Sequence, residues 1–286
     1  MLKAPFMVRI SLLLSYIALV YCSCGTGSPG GETSGTGAVG GESNIHTPAP
    51  LIGFAITGQI PHDTSAFTEG LLVHGGRIYE STGYTEQVPG SRSWFGVVDT
   101  VTGKIHPSVE LDKGQYFGEG ICFLGDKVYQ LTYKEKIGFI YDARNFRKLG
   151  EFRMPGKEGW GMTTDGQSLL VSDGTSTIYY LDPAGMQTRR KLLVTENGLP
   201  PDSLNELEYI HGYIYANRYT QNWIFKIDPA NGKIVGKLDC GPLVAGVRNQ
   251  YQGAMELNGI AYDSVRDKVY ITGKCWPSIY SIQFEH

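Results

Sequence analysis

No sign of charge dominates this chain. Its 286 residues carry 25 Lys and Arg against 28 Asp and Glu, a formal net charge of −3. A dedicated nucleic-acid binder would show a strong basic excess, so that class is excluded. Cysteine is scarce: five in all, with Cys22 and Cys24 inside the first 24 residues. The other three, Cys122, Cys240 and Cys275, have no CxxC spacing, which argues against a thiolate zinc site. Three thiols leave at least one unpaired; burial as small apolar residues is the expectation, with a Cys122–Cys275 bridge the pairing weighed against it. The six histidines form no HxxxH or HxxEH pair. No apolar run reaches 18 residues, so a membrane-spanning helix is not expected. Glycine (38), tyrosine (18) and an aromatic content of 12% are what the chain has in excess. Gly weakens helices and aromatic residues favour pleated surfaces, so many short strands are expected and helical bundles are not. A hydrophobic content of 41% excludes wholesale disorder.

The ends differ from the rest. Lys3 and Arg9 precede an apolar run from Ile10 to Val20, and Cys22 and Cys24 follow at once. Residues 1–24 therefore read as an export signal, and the adjacent Cys resembles a bacterial lipoprotein signal. Tyr21 is bulky before Cys22, whereas Ser23 before Cys24 suits cleavage. Residues 25–50 are rich in Gly, Ser, Thr and Pro and read as a tether. The expected location is outside the cytoplasm, either lipid-anchored or secreted.

Residues 51–286 repeat. An apolar–Asp–turn signature recurs at Asp99, Asp142, Asp182 and Asp228. Asp opens such turns with its side chain, and Pro and Gly supply the backbone angles. A second signature occurs five times: Phe67-Thr-Glu-Gly70, Phe117-Gly-Glu-Gly120, Gly159-Trp-Gly-Met162, Leu204-Asn-Glu-Leu207 and Leu257-Asn-Gly259. Each precedes a turn and a second alternating strand. A unit of roughly 48 residues with no helix in the gaps is propeller-blade length. The predicted fold is all-β, a five-bladed β-propeller. Its last copy lacks a fourth strand, and Leu51–Thr57 is the spare strand expected to close the ring.

In a propeller the first strand of each blade lines a central channel. Phe67, Glu69, Phe117, Glu119, Trp160, Asn205, Glu206, Glu208 and Asn258 then converge on one axis. Apolar walls with a few converging polar groups describe a small-ligand site. A carboxylate held there should have a raised pKa, from desolvation and from like-charged neighbours.

The motifs also carry a resemblance. Ala66-Phe-Thr-Glu-Gly-Leu71, Tyr116-Phe-Gly-Glu-Gly120, Glu158-Gly-Trp-Gly-Met-Thr163, Leu204-Asn-Glu-Leu-Glu-Tyr209, Leu257-Asn-Gly-Ile-Ala-Tyr-Asp263 and Ile271-Thr-Gly-Lys-Cys-Trp-Pro277 stand in one order. In these the chain resembles the glutaminyl-peptide cyclotransferases of the plant and bacterial, papaya type, over nearly all of residues 52–284. The resemblance implies a five-bladed propeller that converts N-terminal glutamine of peptides or proteins to pyroglutamate and releases ammonia. It implies no cofactor and no catalytic zinc; a monomer, with no membrane contact beyond the anchor, is the accompanying expectation. By the resemblance Glu119 shuttles protons, and Lys274 holds Glu119 or stabilises an oxyanion. Phe67, Phe117 and Trp160 wall the glutamine side chain, and Asn205 hydrogen-bonds its carboxamide. Glu208 and Asn217 divide evenly between site and scaffold. The family usually reads Phe-Thr-Gln-Gly where this chain has Glu69, and Tyr133 and Tyr219 stand where it has Trp. A second axial carboxylate should raise the pKa of Glu119 or share its proton. Two rival readings follow from these departures: a propeller that binds without turnover, and a calcium-dependent hydrolase with Glu69, Glu119, Asn205 and Asn258 as oxygen ligands.

Overall fold

Alternating apolar residues and glycine-bearing turns produce twenty strands, arranged in five antiparallel four-stranded sheets. The computed structural model describes residues 48–286; the export signal, both candidate lipidation cysteines and nearly all of the tether lie outside the described residues. Blade one is β2 (Thr68–His74), β3 (Arg77–Thr82), β4 (Trp94–Val98) and β5 (Ile105–Glu110). Blade two is β6 (Gly118–Leu124), β7 (Lys127–Thr132), β8 (Ile137–Asp142) and β9 (Lys148–Arg153). Blade three is β10 (Met162–Thr164), β11 (Leu169–Ser172), β12 (Thr177–Leu181) and β13 (Thr188–Leu193). Blade four is β14 (Leu204–Ile210), β15 (Tyr213–Arg218), β16 (Trp223–Ile227) and β17 (Ile234–Asp239). Blade five is β18 (Leu257–Asp263), β19 (Lys268–Gly273), β20 (Ser278–Phe284) and, from the other end of the domain, β1 (Phe54–Pro61). The fold is the expected five-bladed propeller, and the inner strands β2, β6, β10, β14 and β18 neighbour one another around the axis.

Closure uses more chain than the sequence pattern shows. β1 overlaps the predicted strand but starts three residues later and ends four later, and it pairs with β20 from Phe54 opposite Phe284 to Pro61 opposite Ser278. The residues before it pair with blade four instead: Ile52 N donates to Lys237 O at 2.8 Å and Lys237 N to Pro50 O at 3.0 Å. One segment thus fastens two blades, leaving no free edge at the seam.

Asp99, Asp142, Asp182 and Asp228 all sit between the third and fourth strands of their blades. Each carboxylate accepts the backbone N–H two residues on, at 2.8–3.0 Å. Four such turns serve five blades because the fourth strand of blade five comes from the N-terminal side.

One element departs from expectation. Helix α1 (Gly241–Gln250) fills the gap between β17 and β18. Pro242 lies at its first turn, where the missing N–H costs nothing, and Val244 and Val247 share one buried face. They pack into the apolar cluster with Leu238, Trp276 and Tyr280. Two apolar anchors in ten residues are too few for helical periodicity to stand out. Among the described residues no helix is long and apolar enough to cross a membrane.

The disulfide considered does not form: Cys122, Cys240 and Cys275 are all free and buried. Cys122 packs among Tyr129, Met162 and Val171 between blades two and three, whereas Cys275 lies in the β19–β20 turn of blade five. Burial pushes the Cys240 and Cys275 thiols up to about 12 and about 11.

Candidate active site on the propeller axis

Five strands around one axis leave little room for side chains, and glycine resolves the crowding. A Cβ on Gly120 would lie 2.6 Å from Met162 N, and one on Gly161 would lie 2.1 Å from the Asn205 carbonyl oxygen. The inner strands therefore approach backbone to backbone, and the Glu-Gly dipeptides of the repeats follow from that geometry.

Next to these glycines the inner strands lose register with their partners. The irregularities fall between Thr68 and Gly70, Gly118 and Ile121, Leu204 and Leu207, and Leu257 and Ile260. Bulges re-aim side chains, and these four hold Glu69, Glu119, Asn205, Glu206 and Asn258. The period-2 pattern of the sequence gives no sign of them.

Nine predicted site residues come together. Phe67, Glu69, Phe117, Glu119, Tyr133, Trp160, Asn205, Tyr219 and Lys274 line one cavity of about 220 Å³, with Thr85 as a tenth wall residue. Thr85 lies in the loop after β3, outside every repeat motif, so nothing in the sequence singles it out. The rings form a belt: Phe67 meets Phe117 edge-on at 6.1 Å, Phe117 meets Tyr133 at 5.8 Å, Tyr133 meets Trp160 at 6.5 Å, and Trp160 meets Tyr219 edge-on at 5.5 Å. The Lys274 ammonium closes it, 4.2 Å from the centre of Phe67 and 5.8 Å from that of Tyr219.

Beneath the belt lies a polar floor. Lys274 is buried and pairs with the carboxylate of Glu69, and its Nζ donates to Thr68 O at 3.1 Å. Asn258 Nδ2 donates to Thr68 O at 3.0 Å and to Glu69 Oε2 at 3.3 Å. Burial pushes Glu69 up to about 6, with Lys274 holding it lower than burial alone would. Burial raises Glu119 well above the usual carboxylate range, and the neighbouring charge of Glu69 adds to the rise while Lys274 opposes it. Glu119 Oε2 and Asn205 Oδ1 are buried with no hydrogen-bond partner in the protein. Such atoms are costly unless a ligand meets them.

The support of this floor is buried too. Thr68 Oγ1 donates to Glu80 Oε1 at 2.7 Å, and His62 Nε2 lies 3.0 Å from both Glu80 oxygens. Ser81 Oγ donates to the Glu119 carbonyl at 2.5 Å.

Asn258 touches Glu69 without lining the cavity, and three further candidates, Glu206, Glu208 and Asn217, do not line it either. Glu206 accepts the backbone N–H of Leu71 at 3.2 Å and of Ile260 at 2.8 Å, so it ties three inner strands together below the site. Glu208 accepts from Tyr262 N at 2.8 Å and from the Thr163 hydroxyl at 3.2 Å, and burial pushes it up to about 8. Asn217 Oδ1 accepts from Gly259 N at 2.9 Å. All three are scaffold.

Fold and cavity together define a five-bladed propeller with a buried acid–base cluster on its axis, roofed by aromatic rings. Comparison with known proteins gives the family. Residues 33–284 match the model of the glutamine cyclotransferase family. The chain is 39% identical over 232 residues to the glutaminyl-peptide cyclotransferase of Arabidopsis thaliana, covering 80% of this chain and 71% of the relative. Its structure is similar to the crystal structure of Myxococcus xanthus glutaminyl cyclase, with a TM-score of 0.74 and 30% identity, over 83% of this chain and 98% of that one. The chain belongs to the glutamine cyclotransferase family.

Proposed function

We propose that this protein is a glutaminyl-peptide cyclotransferase whose axial cavity cyclises N-terminal glutamine, with Glu119 as the proton carrier. The observation that carries the reading is the pair of unsatisfied buried oxygens, Glu119 Oε2 and Asn205 Oδ1, at the floor of an aromatic-walled pocket. The pocket's volume is that of about seven waters. It admits one side chain with its amine and excludes a chain interior, which suits a terminal residue.

A glutamine terminus holds both reactants. Its α-amine attacks the side-chain carbonyl carbon, a five-membered lactam ring forms, and the carboxamide nitrogen leaves as ammonia. Burial between the rings selects a folded rotamer that places amine against carbonyl. The amine enters largely protonated, with a pKa of about 8. The Glu119 carboxylate takes one proton from it, freeing the lone pair. The resulting carboxylic acid gives that proton to the leaving nitrogen, and the carboxylate takes the second proton from the ring nitrogen and passes it to the departing ammonia, which leaves as ammonium and returns Glu119 to its carboxylate form. A carboxyl raised toward neutrality suits both transfers. Asn205 Oδ1 accepts from the substrate's carboxamide N–H. Lys274 fixes Glu69 and supplies positive charge near the developing oxyanion.

The calcium-dependent reading loses its footing on donor chemistry. Calcium takes six to eight oxygen ligands, whereas the ammonium of Lys274 already engages the Glu69 carboxylate and lines the same cavity, so a cation stands where a second one would have to bind. The test is incubation of the full chain with a glutamine-initiated dipeptide. Pyroglutamyl product and ammonia in equal amounts support the reading; binding without either product supports a non-catalytic propeller. An asparagine-initiated dipeptide should not react, because its ring would have four members.

A further inference from the structure

A second group of ligating side chains lies outside the axial cavity. His211 stands in the turn between β14 and β15, Asp267 in the turn between β18 and β19, and His286 two residues past β20. Blades four and five thus bring three sequence-distant groups together. His211 Nε2 is 3.2 Å from Asp267 Oδ1, and His286 Nε2 is 3.6 Å from the same oxygen. All three ligand atoms lie within 4.8 Å of one another.

These distances have a chemical meaning. Zinc bonds to imidazole nitrogen and carboxylate oxygen are about 2.0–2.2 Å, so tetrahedral ligands sit roughly 3.3–3.5 Å apart. Two of the three edges here, 3.2 and 3.6 Å, lie within about 0.1 Å of that span. Two imidazoles and one carboxylate are the donor set that favours zinc and similar first-row dications over calcium or magnesium. Tyr262 Oη lies 2.8 Å from Asp267 Oδ1 as donor and 2.8 Å from His211 Nε2. When a metal takes His211 Nε2, Tyr262 keeps its bond to Asp267 and holds that carboxylate in place. His286 packs on Phe284 at 4.5 Å and on His211 at 4.8 Å, which limits its rotamers. The side chains of His211 and Asp267 are more than half exposed, which leaves an entry path and a position for water.

We propose that His211, Asp267 and His286 form a binding site for Zn2+ or a chemically similar dication, which staples the β14–β15 turn of blade four to the β18–β19 turn and the end of β20 in blade five. The site joins blade five to blade four, so a bound ion resists separation of these two neighbours. It does not depend on the cyclase reading and supplies nothing to that reaction.

The experiment compares the untagged full chain with the His211→Ala/His286→Ala double variant in calorimetric titration with ZnCl2 and in thermal unfolding. Neither variant position lines the axial cavity, and a cooperative thermal unfolding transition of the metal-free variant serves as its check of folding. The parent should bind one Zn2+ more per chain than the double variant. At hundredfold excess of Zn2+ over Kd, its Tm should rise by roughly 5–10 °C relative to the metal-free parent. That rise should be absent in the double variant, and CaCl2 should produce it in neither. Equal zinc stoichiometry in the two proteins, or an equal zinc-induced rise in Tm, overturns the assignment.

Discussion

Replacing Lys274 by Met should cost the fold about 3–5 kcal/mol at neutral pH, because it leaves a buried carboxylate without its counter-ion. Lys274 and Glu69 are both nearly inaccessible, with side-chain exposures of 2% and 5%. Met keeps the stem that packs under Phe67 but removes the charge that engages Glu69 and Thr68 O. Asn258 Nδ2 at 3.3 Å would still donate to Glu69, and one amide does not replace an ammonium. The sign of the pH dependence follows. Glu69 already titrates at about 6 in the folded protein, above its unfolded value of 4.5. A raised carboxyl pKa contributes stability that is complete below the unfolded value and lost as pH rises through the folded one. Removing Lys274 raises the folded value further, so the loss continues above pH 6. The stability gap between variant and parent should therefore widen with pH from 5 to 8, by up to about 1.4 kcal/mol per unit for each displaced proton. Adding Glu69→Gln removes the stranded charge and should recover most of the deficit at pH 8. Urea unfolding of parent, single and double variants across that range reads all three quantities. A gap that stays constant with pH, or a double variant no more stable than the single one, would refute the reasoning.

Three further outcomes follow from the same geometry. Gly161→Ala places a methyl 2.1 Å from the Asn205 carbonyl oxygen and 2.6 Å from Glu206 Cα, so the urea midpoint should drop by an amount equivalent to about 1–3 kcal/mol; an unchanged midpoint would show that the inner strands are not in close approach. Trp160→Ala breaks the aromatic belt between Tyr133 and Tyr219, and kcat/KM for glutamine peptides should fall by about 10- to 100-fold; an unaltered value would remove Trp160 from the substrate wall. Dithiothreitol should leave the thermal midpoint unchanged, since Cys122, Cys240 and Cys275 are free; a fall of several degrees would reveal a disulfide within the propeller.

The repeats made the architecture legible because each blade solves the same physical problem with the same residues. Asp99, Asp142, Asp182 and Asp228 mark the outer turns, and the Glu-Gly and Asn-Gly dipeptides mark inner strands too crowded for a Cβ. The helix at Gly241–Gln250 was hidden because only Val244, Val247 and the partly buried Leu243 pack against the core, too few to set up a helical period. The cavity's lining was readable from motif order, but its polar division was not. Bulges decide that Glu69 and Glu119 face the cavity while Glu206 turns to backbone N–H groups of β2 and β18. No local pattern encodes a bulge whose cause is the approach of a neighbouring blade. Thr85 likewise reaches the cavity only through the path of its loop.

The central claim is that Glu119 carries the protons of cyclisation, and ammonia release from a glutamine-initiated dipeptide tests it most directly. The assay compares the full chain with its Glu119→Gln variant, after urea unfolding shows both to be folded. The parent should release one ammonia per pyroglutamyl product, and the variant should be slower by about 10²- to 10⁴-fold, the range typical of a lost acid–base group. A variant that matches the parent's rate would contradict the role of Glu119, and a folded parent that releases no ammonia would contradict the cyclase itself.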